Sequence, residues 1–300
     1  MPQCLVSFGA NLGDASKTIQ AAADSLLSRI ANATSDFKLS RFFRTPPVGG
    51  PSGQPPFINA VVAIESELNV WEMWSCVRDV ETEFGRTRNQ RWEARPIDID
   101  ILLHGDQRIW TPQFKVPHPR MCMRRFILAP AVDVAADWIE PVTGWSIERL
   151  FNHVRVGRGS LVVTASEIHL ATKLLQEAAR QAVADWVEFR NEQLELPNTR
   201  WVGVLPSESS VQTLENSVSQ QPKLLVRLGD RMQVDGVSWE DFSRHLAIEL
   251  NLVESQSDNA SQNVGFLGPR YLLPSDDPEW AIHELAAALD AMDCPVEPVE

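Results

Sequence analysis

Residues 97–103 read Ile-Asp-Ile-Asp-Ile-Leu-Leu, which places two aspartates, Asp98 and Asp100, at i and i+2 inside an otherwise apolar run. A short run rich in β-branched and aliphatic residues reads as a strand that enters a core. Side chains two apart in a strand project from the same face, so the two carboxylates converge on one spot. Carboxylates carried on a core strand need a partner, because burying an unpaired charge costs far more than a strand of this length gains. Arg86, Arg88, Arg91 and Arg95 lie just upstream. Paired carboxylates suit one or two Mg²⁺ ions, and guanidinium forks match the oxygens of the polyphosphate that such ions carry. A solvated surface charge run is the competing reading. The isoleucines threaded between the acids argue against it.

The elements around this segment follow from periodicity. A buried strand is expected at 3–8, then the turn Gly9-Ala-Asn-Leu-Gly-Asp14 and a helix over 15–30, with Ile19, Ala22, Ala23, Leu26, Leu27 and Ile30 at helical spacing. Strand character covers 36–44, and Thr45-Pro-Pro-Val-Gly-Gly-Pro-Ser-Gly-Gln-Pro-Pro56 then excludes regular structure. A strand at 57–65, a helix capped by Asn69 and running to about Phe84, and the strand at 97–103 complete the order strand, helix, strand, strand, helix, strand. That order predicts an α+β ferredoxin-like sandwich for residues 1–155. Beyond an Arg155–Ser160 linker, a strand at 161–164, a helix over 166–191, strands near 201–205 and 223–228 and a helix at 278–292 predict a second, α/β domain at 160–300.

Charge separates the two parts. Residues 1–155 carry 17 basic and 17 acidic side chains, and residues 156–300 carry 10 and 23, so the net charge of −13 lies wholly in the second part. A neutral first part with clustered arginines suits a small anionic ligand, and the acidic second part argues against nucleic acid. No apolar stretch approaches the roughly 18 residues needed to span a bilayer, and a cytoplasmic protein without a membrane partner is the expectation. Cys4, Cys76, Cys122 and Cys294 have no metal-binding spacing and read as reduced thiols.

Six segments occur in order: Gly9-Ala-Asn-Leu-Gly-Asp14, Arg44-Thr-Pro-Pro47, Phe57-Ile-Asn59, Glu81, Arg86 through Asp100, and Val116-Pro-His-Pro-Arg-Met121 followed by Arg124-Arg-Phe126. Together they resemble the 6-hydroxymethyl-7,8-dihydropterin pyrophosphokinase family over about residues 1–152. The resemblance implies transfer of pyrophosphate from ATP to a pterin alcohol. It also implies that Asp98 and Asp100 hold two Mg²⁺ ions. Arg86, Arg88, Arg95 and Arg124 would hold the triphosphate, and Trp92 would seal the closed site. Asn59 would read the pterin edge, Phe57 and Phe126 would sandwich its ring, and Thr45, Pro46 and Val48 would complete that pocket. Glu81, His118 and Ile101 would lie on the nucleotide side. The chain departs from the family pattern at Ala10, at Cys122-Met123, and at Glu93-Ala94, which stands where Gly-Pro is usual ahead of Arg95. The last change sets a negative charge among the arginines, so its expected effect is on loop closure and rate.

The second part does not look like dihydropteroate synthase, whose glycine-rich pterin motifs it lacks. Residues 267–282 are faintly similar to the C-terminal tail of P-loop deoxynucleoside kinases, yet Thr164-Ala-Ser-Glu-Ile-His-Leu-Ala-Thr172 stands where G-x-x-x-x-G-K-[ST] would be needed. Without the glycines and the lysine no phosphate cradle forms. A degenerate, non-catalytic domain that serves self-association or regulation is the expectation. The alternative to an active enzyme is a catalytically weak pterin and nucleotide sensor that acts through this domain.

Overall fold

The computed structural model describes residues 1–51, 53–85, 96–165, 167–189, 197–205, 222–229 and 268–299. β1 (Gln3–Ala10) is followed by α1 (Ala15–Ile30), β2 (Thr34–Leu39), β3 (Phe43–Thr45), β4 (Phe57–Ser66), α2 (Val70–Glu83) and β5 (Asp98–His104). The Asp14 side chain caps α1 by accepting from the Lys17 amide at 3.2 Å. Asn69 and Glu72 form a reciprocal capping box on α2, which satisfies amides that a helix start leaves without partners.

β4 pairs with β1, β1 with β5, and β2 and β3 both with β4, all antiparallel. The order β3-β4-β1-β5 is that of the expected ferredoxin-like sandwich. The expected continuous strand at 36–44 is instead two strands. Ser40 turns inward between them, and its hydroxyl accepts from the Val61 amide at 2.9 Å while Arg41 pairs with Asp133. This local side-chain bonding replaces a ladder step.

Alternation assigns the two faces of this sheet. Val6, Phe8, Val62, Ile64, Ile99 and Ile101 pack with α1 and α2 in one core, whereas Leu5, Val61, Ala63 and Leu103 face the other side. Asp98 and Asp100 alternate with Ile97, Ile99 and Ile101 and so take the second face. Burying each isoleucine contributes about 1.5–3 kcal/mol, and a one-residue slip would forfeit all three, so the register that presents both acids is held by their apolar neighbours.

The hairpin β6 (Ile109–Trp110) and β7 (Lys115–Val116) packs with the first core through Ile109 and Val116, and over the second face lie α3 (Arg125–Ala135) and α4 (Ile147–Arg155). α3 forms despite Pro130 in its interior. The buried face Ile127, Leu128, Ala131 and Ala135 outweighs the lost backbone bond.

Then come β8 (Ser160–Ala165), α5 (Ile168–Ala182), β9 (Asp185–Glu188), β10 (Trp201–Leu205), β11 (Leu224–Gly229), β12 (Arg270–Pro274), α6 (Pro278–Asp293) and β13 (Glu297–Pro298). The sheet β12-β11-β8-β10-β9 is parallel throughout, and all six residues of β8 are buried, as both faces of a parallel sheet must be. The helix expected over 166–191 ends at Ala182. Val183 adopts a left-handed conformation there, and its amide bonds back to Ala179, so residues 185–188 enter the sheet.

The two parts share one apolar cluster, which runs from Leu5 and Val61 through α3 and α4 into β8, α5 and α6. β13 then returns to the first sheet. Glu297 pairs with Arg44 and Pro298 with Phe43, and the Val299 amide donates to the Phe42 carbonyl at 2.8 Å.

Candidate active site

Gly9 on β1 lies opposite Asn59 on β4 and opposite Asp98 on β5. Three strands therefore place an amide, a gap and a carboxylate in one row. A Cβ added at Gly9 would meet Asn59 Oδ1 at 3.4 Å, so the glycine leaves the floor of a cavity open. That cavity is lined by Thr45, Pro46, Val48, Phe57, Asn59, Asp98, Asp100, Arg124 and Phe126, together with Gly49 and Gln54. The Asn59 amide donates to Thr45 Oγ1 at 2.9 Å, and Asn11 reaches across to Gln54 and the Pro55 carbonyl, which ties the loop after β3 to the turn after β1. Gly49 and Gly50 both take positive φ in that loop. Two aromatic side chains beside a buried amide fit a flat heterocycle with hydrogen-bonding edges.

A second cavity is lined by Glu81, Ile99, Asp100, Ile101 and His118, with Trp74, Arg78, Phe114 and Lys115. Asp100 lines both cavities. One carboxylate thus stands where two bound molecules would meet. Trp74 and Phe114 stack at 5.1 Å between centroids, and the Arg78 guanidinium lies 5.0 Å over the Trp74 ring.

His118 is partly buried, and its Nδ1 accepts from the Arg120 amide at 3.1 Å. That bond puts the imidazole proton on Nε2, which points at Asp100 Oδ2 from 3.7 Å, beyond direct hydrogen-bond reach. Burial, then the charges of Arg124 and Arg120, hold the His118 pKa well below its ordinary value, so the ring is neutral at physiological pH. Arg124 is the N-cap residue of α3, and its guanidinium lies 5.6 Å over the Phe126 ring. Burial and the neighbouring Arg120 lower its pKa, although it stays cationic at any ordinary pH. A cation at a helix N-terminus meets the positive end of the helix dipole, and that combination favours an anionic ligand.

Thr45, Pro46, Val48, Phe57, Asn59 and Phe126 meet in the first cavity, and Glu81, Ile101 and His118 in the second. Arg124, assigned from sequence to the nucleotide, lines the first cavity beside the two aspartates. Arg86, Arg88, Trp92 and Arg95 lie outside the described residues. Trp74 and Arg78 were missed, although they sit seven and three residues before Glu81 on one face of α2, a signal legible in the sequence. Arg120 was missed as a site neighbour for a different reason. Its side-chain partners, Tyr271 and Glu284, lie 151 and 164 residues further along the chain.

A family model for 7,8-dihydro-6-hydroxymethylpterin-pyrophosphokinase matches residues 5–136. The 2-amino-4-hydroxy-6-hydroxymethyldihydropteridine pyrophosphokinase of Porphyromonas gingivalis is 40% identical over 140 residues, which cover 45% of this chain and 92% of that protein. The Bacillus subtilis protein of the same name is 40% identical over 129 residues, 43% of this chain and 75% of its own. The chain belongs to this pyrophosphokinase family. It therefore transfers pyrophosphate from ATP to hydroxymethyldihydropterin in folate biosynthesis. The Pseudomonas aeruginosa pyrophosphokinase agrees at 38% identity over 132 residues, 44% of this chain and 80% of that one. Among solved structures, wild-type Plasmodium falciparum HPPK-DHPS with SDX-DHP overlays at TM-score 0.39 and 11% identity, with 75% of this chain and 65% of that chain covered. Among the described residues of this pyrophosphokinase, no helix is long and apolar enough to cross a membrane.

The donor set fits the divalent ion that such a reaction calls for. Asp98 and Asp100 offer hard carboxylate oxygens from one face of β5, the donor type that Mg²⁺ takes. Among the described residues no group of three or more His, Cys, Asp or Glu converges. Phosphate oxygens and water would complete the coordination of such an ion, as is usual for Mg²⁺.

Proposed function

We propose that Asp98 and Asp100 carry Mg²⁺ for the pyrophosphoryl transfer, with the pterin in the first cavity and ATP in the second. The presence of Asp100 in the lining of both cavities supports this reading most directly. Two ions, when bound, would neutralise phosphate charge and lower the pKa of the attacking hydroxyl. The chain's own groups position the substrates. Asn59 and Thr45 read the pterin edge while Phe57 and Phe126 hold its plane, so that the hydroxymethyl group points toward the aspartates. Arg124 meets phosphate charge as it builds, and neutral His118 donates from Nε2 to a phosphate oxygen. Arg86, Arg88 and Arg95 are proposed to grip the triphosphate, and Trp92 to exclude water.

In the reaction the pterin oxygen bonds to the β-phosphorus of ATP, the bond from that phosphorus to the α,β-bridging oxygen breaks, and AMP leaves. The hydroxyl proton passes to solvent. Catalysis then rests on positioning and charge stabilisation rather than on a strong base. Residues 1–155 carry this chemistry, and residues 160–300 add no second phosphoryl transfer, since the sequence after β8 lacks a phosphate-cradling loop. Any self-association would run through that second part, and sedimentation of the full chain reads whether it occurs.

The test is Asp98→Asn and Asp100→Asn in the full chain, assayed for AMP release with Mg-ATP and the pterin alcohol. Loss of AMP release with an unchanged thermal midpoint is the expected result. Retained AMP release in either variant overturns the metal assignment.

A further inference from the structure

Arg120 stands between the two parts of the chain. Its terminal nitrogen contacts Glu284 Oε2 on α6 at 2.5 Å, and its Nε donates to the hydroxyl of Tyr271 on β12 at 3.2 Å. Glu284 is 1% exposed. A carboxylate buried so deeply is held there by its cation, and removal of either partner leaves an uncompensated charge. The same arginine feels the charge of Asp100, and it depresses the pKa of both Arg124 and His118. Its backbone amide sets the His118 ring. Arg120 is thus a cation close enough to feel Asp100 whose guanidinium is held by two residues of the second part.

Two further contacts run the same way. His283, next to Glu284, accepts from the Gly50 amide at 3.4 Å in the loop that borders the first cavity. β13 covers the outer edge of β3, the strand that leads into that loop. All three contacts fall on segments that border the catalytic cavities.

We propose that the C-terminal part completes the pyrophosphokinase site, with Glu284 as a positioning residue that restrains the Arg120 guanidinium and so keeps Asp100 available to the metal nucleotide. Without the Glu284 charge, Arg120 has Asp100 as an acidic group within its field. A guanidinium pairs with a carboxylate in a fork that would occupy the oxygens a metal nucleotide needs. The inference rests on the assignment of Asp100 to the metal nucleotide.

The test is a double-mutant cycle in the full chain, read by calorimetric binding of a non-hydrolysable Mg-ATP analogue and by separate kcat and KM values. Glu284→Gln is expected to weaken analogue binding about tenfold and to raise KM for Mg-ATP more than it lowers kcat. In an Arg120→Gln background the same change should alter binding by less than about twofold, because the group it restrains is gone. Tyr271→Phe removes the second restraint with little loss of packing. It should shift binding in the same direction, again only when Arg120 is present. Equal effects in both backgrounds, or a lowered thermal midpoint with unchanged nucleotide binding in both Glu284→Gln and Tyr271→Phe, overturn the inference. Asp100→Asn serves as the separating control. If it leaves analogue binding unchanged, the metal assignment itself fails. If it weakens binding while Glu284→Gln does not, only the role of Glu284 falls.

Discussion

Glu81 Oε1 on α2 accepts a hydrogen bond from the Ile99 amide at 3.0 Å, midway between the two aspartates of β5. Among the described residues β5 is an edge strand, so its outward amides have no neighbouring strand there to bond to. Glu81 is buried, and its position on α2 sets the height of β5 relative to the helix layer. A residue given by family resemblance to the nucleotide side therefore also holds the strand that carries both acids.

Glu81→Ala is expected to leave the buried Ile99 amide unsatisfied and to cost about 1–3 kcal/mol of stability, with reduced turnover because β5 loosens. Glu81→Gln keeps an acceptor and should recover most of that loss. Urea unfolding of the two variants decides the point, and equal destabilisation by both would sink it.

Asn59→Ala removes the amide that the β4 register sets beside Gly9. Pterin binding should weaken by about tenfold or more, since a site built to hydrogen-bond a ring edge loses its reader. Binding of the Mg-ATP analogue should be unchanged, because Asn59 lines only the first cavity. Calorimetry with each ligand alone measures both, and an equal loss for the two ligands would contradict the division of the cavities.

Burial is the leading cause that lowers the pKa of His104, His118 and His153. Unfolded histidines take up protons near pH 6.5, and these three resist in the folded state, so below about that pH the unfolded chain binds more protons. Stability is then full above about pH 6.5 and declines as pH falls toward the folded-state values. The thermal midpoint by circular dichroism should drop between about pH 7 and pH 5, and a flat profile over that interval would refute the assignment.

Cys4, Cys122 and Cys294 are buried and Cys76 is partly exposed, and burial raises the pKa of each, that of Cys294 to about 12. A thiol-disulfide reagent reacts with exposed thiolate. In native protein it should label Cys76 alone, and in denaturant all four thiols should react. Fast native labelling of Cys294 would show that the end of α6 opens in solution.

Ending the chain at Cys294 removes β13 and bares the edge of β3. The expected result is a raised KM for the pterin with little change for Mg-ATP, as the strand that leads into the loop after β3 loses its outer neighbour. Steady-state kinetics of the shortened chain against the full chain make the comparison.

Local rules made much of the first part legible. Asp98 and Asp100 share a face because side chains in a strand alternate, and Asn69 and Asp14 begin helices because their side chains satisfy amides within three residues. Asn59, Phe57, Phe126 and His118 lie at family spacing, so the resemblance points to them without any geometry. The helix expected over 166–191 misread Val183 and the short strand after it, since the four residues of Asp185–Glu188 carry too little periodicity to separate strand from helix.

The sequence by itself determined most elements of the first part, the shared face of Asp98 and Asp100 and the family to which the chain belongs, because each depends on neighbours along the chain. Only the tertiary structure decided that Asp100 stands between two cavities, that Arg120 is held by Tyr271 and Glu284, and that residues 297–298 close the edge of β3. The contacts of Arg120 and of residues 297–298 join residues more than 100 positions apart. Such pairs leave no periodic trace in the chain, since what brings them together is the shared apolar cluster beneath both sheets rather than any local preference of the residues themselves.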